Sequence, residues 1–394
     1  MRRFEKALPI ILAVVTATVL VSAERSSGTA PIVFDGNRVY AELTFLRPDG
    51  TTHRTLAFVD MGSPQMVLTA GLFKDLALNR GGPLRFLVGE LPVTFPGKEV
   101  LSDSSEPYSV GTELKVEAVL PAGVMKNYVV VLDYAHRTLT FARPGTMMPE
   151  GITVPFRINS QTGLIAVDAL IDGQSYAITI DNGSAYTWFR QDAAKRWLNA
   201  HPDWERGVGA VGPANMMMSG EGTETAGILM RVPQITIGGL LLKDVGALAA
   251  RKGRGFGANQ DLFAWYSTKN ALPVLGWIGG NVLKSYRITI DYPHKTMYWL
   301  RSDLDTYELN QVGITLKADA GNYFVAAVAT QDGKPTVEAV QTGDKVIRVQ
   351  NLELNTATWG QIYRALHGRP EEMKVLVINR GGKQITVHVL VTAF

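Results

Sequence analysis

The sequence predicts a mainly β protein in which one unit is duplicated and a third unit follows. Most apolar runs are short, alternate with polar residues and end at Gly, Pro, Asp or Asn, as strands and turns do. Two of these runs end in Asp-x-Gly-Ser, at residues 60–63 and 181–184. Two matching Asp-Tyr-x-His segments follow them, at residues 133–136 and 291–294. Because both motifs recur in the same order, the sequence contains an internal duplication.

The composition limits the classes of protein to consider. With 394 residues, 46% of them hydrophobic and 19% charged, the chain is long and apolar enough for two or three domains with real cores. The formal net charge of +3 is small, and no Lys/Arg run carries interleaved aromatic residues, so we expect no nucleic-acid partner. The absence of cysteine excludes disulfides, thiolate metal sites and a cysteine nucleophile. The histidines show no metal-binding spacing, so we expect neither a metal nor another cofactor.

Residues 1–23 have the pattern of a secretory signal peptide. Arg2 and Arg3 form the charged start, residues 8–21 form the apolar stretch, and residues 21–23 form a small-residue cleavage site. This pattern predicts export to the periplasm or the extracellular space. The alternative is an uncleaved membrane anchor. It is disfavoured because the run is shorter than the roughly 20 residues that a spanning helix needs and contains Pro9.

The first copy is expected to span residues 31–145. Residues 38–46 alternate, a hairpin turn follows at residues 48–50, and the returning strand delivers Asp60. A helix-compatible stretch at residues 70–78 ends at the Gly-Gly-Pro of residues 81–83. Further strands follow, and the copy closes with the hairpin around Asp133.

The second copy is expected to span residues 151–301. Residues 164–171 alternate, Asp172 and Gly173 form a turn, and the next strand delivers Asp181. Its extra length lies mainly in a helical stretch at residues 186–204, a Gly/Met-rich loop at residues 207–227 and a basic Gly-rich loop at residues 251–261. The run Met216, Met217 and Met218 is either a flap over a cleft or a surface loop. The basic loop lacks the lysine of a phosphate-binding loop and is expected to be solvated surface.

A third unit covers residues 311–394. It shows β-type runs at residues 323–329, 345–349, 373–378 and 384–391, with one helix-like stretch at residues 358–366. Turn signals at residues 343–344 and 381–382 separate these runs. No internal match relates this unit to the two copies.

Residues 31–301 resemble the retropepsin/pepsin-like aspartic protease superfamily. The resemblance rests on the two strands that end in Asp-x-Gly-Ser, on the apolar-apolar-Gly triplet of residues 277–279, and on the closing Asp-Tyr-x-His-[Arg/Lys]-Thr hairpins. It implies a bilobal, acid-protease-like pair of β-barrels. Residues 343–349 and 379–382 resemble a PDZ domain, which implies a small β-sandwich or barrel that binds the C-termini of other polypeptides. The implied carboxylate-binding loop consists of Gly321, Asn322, Tyr323 and Phe324.

The resemblance implies a catalytic pair formed by Asp60 and Asp181. Two carboxylates about 3 Å apart cannot both ionise, so one of them keeps a proton. The charged one then accepts a proton from a water that attacks a peptide carbonyl, while the protonated one donates to the carbonyl oxygen. The resemblance also implies supporting roles for the glycines and serines of the two motifs. The glycines allow the backbone to approach the site closely, and the serine hydroxyls hydrogen-bond to the carboxylates. These residues are Gly62, Gly183, Ser63 and Ser184.

Two positions depart from the family pattern. Family members usually carry Thr or Ser directly after the aspartate, where the hydroxyl ties the two loops together; here those residues are Met61 and Asn182. Methionine has no donor, whereas asparagine can supply a substitute bond. The first copy also has Leu120-Pro121 where the second has Ile278-Gly279.

Two hypotheses therefore remain open from the sequence. One is an exported endopeptidase acting on peptides or unfolded proteins. The other is a peptide-binding or scaffold protein that keeps the protease fold without the activity. In either case Asp133 and Asp291 are expected to be hairpin-turn residues with surface histidines beside them.

Overall fold

The structure is a computed structural model that describes residues 25–103, 114–209, 225–250, 262–302 and 309–394. The predicted signal peptide, Met216, Met217 and Met218 and the basic Gly-rich loop lie outside these ranges. Within them, no helix is both long enough and apolar enough to cross a membrane.

The described ranges confirm the predicted mainly β fold class. The strands of the first half are β1 (Ser27–Asp35), β2 (Arg38–Leu46), β3 (Thr52–Asp60), β4 (Met66–Thr69), β5 (Leu84–Val88), β6 (Leu91–Phe95), β7 (Val100–Asp103), β8 (Val116–Pro121), β9 (Val129–Asp133) and β10 (Thr138–Ala142). Its helices are α1 (Ala70–Asp75) and α2 (Ala122–Met125), with 3-10 turns at Leu78–Arg80 and Gly97–Glu99.

The second half repeats this series with longer elements. Its strands are β11 (Ile152–Pro155), β12 (Arg157–Ile158), β13 (Ile165–Ile171), β14 (Gln174–Ile180), β15 (Thr187–Arg190), β16 (Arg206–Val208), β17 (Ile228–Ile237), β18 (Leu240–Ala250), β19 (Gly276–Ile278), β20 (Tyr286–Asp291) and β21 (Thr296–Arg301). Its helices within the described ranges are α3 (Gln191–Ala200), α4 (Leu262–Lys269) and α5 (Gly280–Leu283).

Both halves share one strand topology around the Asp-x-Gly-Ser loops. In the first half β3 runs parallel to β8, β8 antiparallel to β4, and β4 parallel to β7. In the second half β14 runs parallel to β19, β19 antiparallel to β15, and β15 parallel to β18. The order is the same although the loop lengths differ, so the duplication seen in the sequence is a duplication of fold.

A single antiparallel sheet joins the halves, in the order β11-β21-β20-β9-β10-β1. Where the halves meet, β9 pairs with β20 and Val131 lies opposite Thr289. Val131 stands two residues before Asp133, and Thr289 stands two residues before Asp291. The central pair therefore consists of equivalent positions, and a pseudo-twofold axis passes between them.

The two closing hairpins confirm the predicted turns. Asp133 accepts a hydrogen bond from the His136 amide at 3.0 Å and contacts the His136 ring nitrogen Nδ1 at 2.9 Å. Asp291 makes the same pair of contacts with His294, at 3.1 and 2.8 Å. Both imidazole rings are largely exposed. These aspartates close hairpins and take no part in the site described below.

The C-terminal unit has its own core. Its strands are β22 (Asn310–Gln311), β23 (Ile314–Asp319), β24 (Asn322–Val328), β25 (Thr330–Gln331), β26 (Lys334–Pro335), β27 (Lys345–Val349), β28 (Leu352–Glu353), β29 (Met373–Arg380), β30 (Lys383–Leu390) and β31 (Thr392–Ala393). A 3-10 turn at Leu354–Thr356 precedes the helix α6 (Trp359–Leu366). The main sheet runs β23-β24-β27-β29-β30, and Trp359, Ile362 and Leu366 of α6 are buried in its core.

The expected carboxylate-binding loop is not a free loop. Gly321, at φ +75°, lies in the turn between β23 and β24, and Asn322, Tyr323 and Phe324 begin β24. Tyr323 pairs with Ala318 on one side and with Val346 on the other. Ala320 and Gly321 form the hairpin turn, and Asn322 pairs with Asp319 directly after it, so the backbone of this segment is used in the sheet.

The C-terminal unit packs directly against the first half. The carboxylate of Asp35, at the end of β1, accepts hydrogen bonds from the Thr358 hydroxyl at 3.0 Å and from the Gly360 amide at 3.1 Å. It thereby caps the N-terminus of α6, whose own cap residue is Thr358. A Cβ on Gly360 would lie 1.9 Å from Asp35 Oδ1, so only glycine permits this approach.

The unit also packs against the second half. Val208 of β16 pairs with Thr330 of β25, which extends the second-half sheet into the C-terminal unit. The fully buried ring of Phe394 fills the space beside Gly207, where a Cβ would lie 2.4 Å from the ring. The C-terminal unit is therefore packed against both halves rather than only tethered to them.

We expect Asp35→Ala to lower the free energy of unfolding by about 1–3 kcal/mol, because it removes a buried cap from α6. Denaturant unfolding followed by tryptophan fluorescence measures the change. Asp168→Ala is the control, since it breaks only an exposed ion pair with Arg157 and should cost less than about 1 kcal/mol. Equal losses in the two variants would contradict the role given to Asp35.

Candidate active site

Asp60 and Asp181 occupy equivalent positions at the ends of two buried strands. Asp60 is the last residue of β3 and lies opposite Pro121 of β8. Asp181 directly follows β14, and its amide donates to the Ile278 carbonyl of β19 at 3.0 Å. In each half the aspartate thus lies at the end of a strand, and that strand is hydrogen-bonded to a parallel neighbouring strand.

The two Asp-x-Gly-Ser loops meet across the pseudo-twofold axis. A Cβ on Gly62 would lie 2.5 Å from the Asp181 carboxyl carbon, and a Cβ on Gly183 would lie 2.4 Å from Asp60 Oδ1. Each glycine therefore packs against the opposing carboxyl, and no larger residue fits there. The two carboxyls lie close enough for each to shift the pKa of the other. The structure brings together the two aspartates and the two glycines that the sequence singled out.

Backbone amides hold one oxygen of each carboxyl. Asp60 Oδ1 accepts from the Gly62 amide at 2.9 Å. Asp181 Oδ1 accepts from the Gly183 amide at 2.9 Å and from the Ser184 amide at 3.3 Å. Amide donors aimed at a carboxyl favour its ionised form and fix its orientation.

Burial works against that ionisation. Burial raises the pKa of Asp60 well above its ordinary value, and the neighbouring Asp181 carboxylate raises it further. Burial also raises the pKa of Asp181, although hydrogen bonds from Tyr266, Gly183 and Ser184 oppose the rise. Asp181 is only 3% exposed, whereas Asp60 keeps more of its surface accessible. Such a pair holds a proton at pH values where ordinary carboxyls are ionised.

The serine hydroxyls differ from the expectation that they bond the carboxyls. Ser63 Oγ lies 3.3 Å from the Gln65 carbonyl oxygen, and Ser184 Oγ donates to the Tyr186 carbonyl at 2.8 Å. Both hydroxyls are used within their own loops, because a serine side chain readily bonds backbone groups two residues away. Ser184 supports its aspartate through its amide instead.

Asn182 links the two loops. The buried amide of Met61 donates to Asn182 Oδ1 at 2.8 Å, so the asparagine supplies the substitute bond that the sequence suggested. The Met61 side chain is 1% exposed and belongs to the main apolar core. Asn182 Nδ2 is buried and has no hydrogen-bond partner within the described ranges. The link is therefore one-sided, because the second copy contributes a side chain to it and the first copy contributes a backbone amide.

The backbone hydrogen bonds that hold the two Asp-x-Gly-Ser loops are equivalent in the two halves. This holds although the first half has Leu120-Pro121 where the second half has Ile278-Gly279. The Ala122 amide, at the start of α2, donates to the Ser63 carbonyl at 2.9 Å. The Gly280 amide, at the start of α5, donates to the Ser184 carbonyl at 2.8 Å. Because backbone groups make both bonds, the difference in side chains does not disturb them.

Tyr266 is a site residue that the sequence reasoning missed. Its hydroxyl donates to Asp181 Oδ2 at 2.6 Å, a charge-assisted bond to the oxygen that the backbone leaves free. Tyr266 lies on α4, and its ring centroid is 5.0 Å from that of Trp277. Phe263, Trp265 and Tyr266 form an aromatic cluster in the sequence, but no motif or spacing ties this cluster to Asp181.

Comparisons with known proteins give similarity of fold only. No protein-family model matches the chain, and no curated protein matches it significantly. Among solved structures, basic 7S globulin from soybean is similar at 9% sequence identity and a TM-score of 0.41, covering 71% of this chain and 97% of its own. An aspartic proteinase from Irpex lacteus is similar at 12% identity and a TM-score of 0.41, covering 70% of this chain and 98% of its own.

We expect Asp60→Asn to become more stable relative to wild type as the pH rises from about 3 to about 7. The raised pKa means that folded Asp60 holds its proton more tightly than the unfolded chain does. Its contribution to stability is complete at low pH and is lost as the pH rises through the folded pKa, whereas asparagine does not titrate. The difference in unfolding free energy should grow by about 1.4 kcal/mol per unit of pKa elevation.

Asp49→Asn is the control for that titration, measured by the same denaturant series. Hydrogen bonds from Thr51 lower the pKa of Asp49, so its stabilisation is present at high pH and lost at low pH. The Asp49 variant should therefore become less stable relative to wild type as the pH rises. If both variants changed in the same direction, the raised pKa of Asp60 would be refuted.

We expect Asn182→Ala to lower the free energy of unfolding by about 1–3 kcal/mol, because the buried Met61 amide loses its acceptor. Asn322→Ala is the matched control. Its side chain bonds only the Ala320 carbonyl in a hairpin turn, so its loss should cost less than about 1 kcal/mol. An Asn182 variant as stable as its control would show that the loops do not depend on this link.

Proposed function

We propose that this protein is an exported aspartic-type endopeptidase that uses Asp60 and Asp181 to hydrolyse peptide bonds. The observation that carries the proposal is the pair of facing carboxyls, each packed against the glycine of the opposite loop, Gly62 or Gly183. Two buried carboxyls that share a proton provide a base and an acid at one place, which is the requirement for activating a water against a peptide carbonyl.

In the proposed reaction each group has a part. The ionised carboxyl of the pair accepts a proton from a water molecule as the water oxygen bonds to the carbonyl carbon. The protonated carboxyl donates its proton to the carbonyl oxygen, which becomes a hydroxyl. When the C–N bond breaks, the carboxyl that took the water proton gives it to the amine nitrogen, and the other carboxylate takes back the hydroxyl proton as the carbonyl re-forms. The amides of Gly62 and Gly183 keep both carboxyls oriented throughout. Because the two groups titrate as a pair, the proton balance belongs to the dyad.

The C-terminal unit enters the proposal as a PDZ-like module that binds the termini of peptides or unfolded segments. Support for this comes from the Gly343-Asp344 turn and from the sheet β23-β24-β27-β29-β30 packed with α6. Substrates would be peptides or unfolded proteins in the periplasm or outside the cell. Membrane contact belongs to the proposal only if the N-terminal segment stays uncleaved.

A second candidate is a peptide-binding protein that keeps the fold without catalysis. The one-sided link between the loops favours it. Met61 cannot donate a hydrogen bond from its side chain, and Asn182 leaves one buried amide nitrogen without a partner in the described ranges. In this case the carboxyl pair would serve to bind a peptide backbone.

Incubation of the purified protein with unfolded polypeptides from about pH 3 to about pH 8 tests the proposal. We expect cleavage with a bell-shaped pH profile, because the dyad needs one proton and loses activity when it holds two or none. The raised pKa values place the optimum above that expected for ordinary carboxyls. Asp60→Asn and Asp181→Asn should each reduce kcat/KM by at least about a thousandfold.

Asp168→Asn is the matched control, since this exposed residue lies away from the dyad in an ion pair with Arg157. It should cleave like wild type, and a statine-type transition-state mimic should inhibit both. Cleavage that survives in both dyad variants would refute the assignment of Asp60 and Asp181. Peptide binding without cleavage at any pH would favour the second candidate.

A further inference from the structure

We propose that Tyr266 is a positioning residue that keeps the negative charge of the dyad on Asp181 and leaves the shared proton on Asp60. This inference rests on the proposed function and specifies how its site divides the work. It concerns a residue on α4, outside both Asp-x-Gly-Ser loops. The decisive feature is the set of hydrogen bonds that each carboxyl receives.

The two carboxyls receive unequal sets of donors. Asp181 accepts two backbone amides at Oδ1 and the Tyr266 hydroxyl at Oδ2, so donors reach both of its oxygens. Within the described ranges, Asp60 accepts only backbone amides, chiefly that of Gly62 at Oδ1, besides its contact with Asp181. A donated hydrogen bond stabilises an ionised carboxyl more than a protonated one. Tyr266 is the side chain that makes the pair unequal.

The packing around Tyr266 holds its hydroxyl in place. The ring is 8% exposed, lies 5.0 Å from the Trp277 ring and meets the Trp265 ring edge-on at 5.1 Å. Trp277 belongs to β19, where it pairs with Thr179 of β14, the strand that delivers Asp181. Trp277, which packs against the donor Tyr266, and β14, which precedes the acceptor Asp181, thus belong to one sheet. This shared sheet leaves the hydrogen bond little freedom to lengthen.

The C-terminal end of α4 is tied to the same half. The Thr162 hydroxyl donates to the Lys269 carbonyl at 2.6 Å, and the Asn159 side-chain amide donates to the Asn270 carbonyl at 3.4 Å. These bonds fix the helix that carries Tyr266 without involving either aspartate. The hydroxyl can therefore be removed while the helix stays anchored.

This arrangement defines the starting state of the reaction. Asp181, charged, accepts the proton of the attacking water, while Asp60 gives its proton to the substrate carbonyl oxygen. One proton is gained and one lost by the dyad, so its total charge does not change in this step. The more accessible carboxyl is thus the one that donates towards substrate, and the more deeply buried one is the base.

Tyr266→Phe tests the proposal because it removes the hydroxyl and keeps the ring. Carboxyl-carbon NMR of protein labelled at the aspartate side chains follows both dyad groups, and the spectra of Asp60→Asn and Asp181→Asn assign them. We expect the lower of the two dyad pKa values to rise by about one unit in Tyr266→Phe. The acid limb of the kcat/KM profile should rise by the same amount, with about tenfold lower activity on that limb.

Tyr176→Phe is the matched control, because its hydroxyl donates to the Gln174 side chain at 2.7 Å on the protein surface. It should leave both titrations and the activity profile unchanged. The wild-type spectra test the proposal without any Tyr266 variant, since Asp181 must ionise before Asp60. If Asp60 ionised first, the proposal would be overturned.

Two further results would also overturn it. One is a pair of dyad titration curves that superimpose in wild type and Tyr266→Phe. The other is a Tyr266→Phe variant with raised activity and an unshifted pH profile, which would make Tyr266 an obstacle in the cleft. The NMR titration needs no substrate, so the role of Tyr266 can be decided even if no polypeptide is cleaved.

Discussion

The close approach of the two Asp-x-Gly-Ser loops is the constraint on which the rest of the structure depends. In each loop the glycine packs against the carboxyl of the other loop, and burial raises the pKa of both carboxyls. Two negative charges at this distance are unfavourable in a buried site, so one of the two carboxyls keeps its proton. Backbone amides donate hydrogen bonds to the carboxylate that stays charged. The sheet shared by β9 and β20 fixes the distance between the halves, and its central pair lies on the pseudo-twofold axis. The amides at the starts of α2 and α5 then hold each loop from beneath.

Much of this arrangement could be predicted from the sequence, because its signals are local. Strand alternation, the repeated Asp-x-Gly-Ser and the Asp-Tyr-x-His hairpins each occupy a few adjacent residues, and their repetition implies the symmetry. Tyr266 could not be predicted, since it reaches Asp181 across 85 residues through the packing of a helix on a sheet. The hydrogen-bond partners of the serine hydroxyls could not be predicted either, because carboxyl and backbone acceptors lie equally near them in the sequence. Residues 321–324 form the end of a turn and the start of β24, and a glycine between two β-type runs does not by itself distinguish a hairpin turn from a binding loop.

Duplication within one chain explains how the loops tolerate Met61 and Asn182. In a symmetric dimer of identical subunits both positions would carry the same residue, and two methionines could not supply a polar link. Here the copies have diverged, so Asn182 supplies the acceptor while Met61 fills the apolar core. The arrangement leaves the buried Asn182 Nδ2 without a partner in the described ranges. Buried groups of this kind cluster where a site must be held in one geometry.

The contacts of the C-terminal unit reach the same loop from outside. Ser184 and the Trp277 indole both donate to the Tyr186 carbonyl, so the position of Tyr186 is coupled to the loop that holds Asp181. The Tyr186 hydroxyl in turn lies 3.4 Å from His367 Nε2, directly after α6. The other end of α6 is capped by Asp35 of the first half. One helix of the C-terminal unit thus bridges the two halves, and a displacement of α6 would have to break a buried cap or shift Tyr186. The relative position of the two aspartates is consequently a property of all three units.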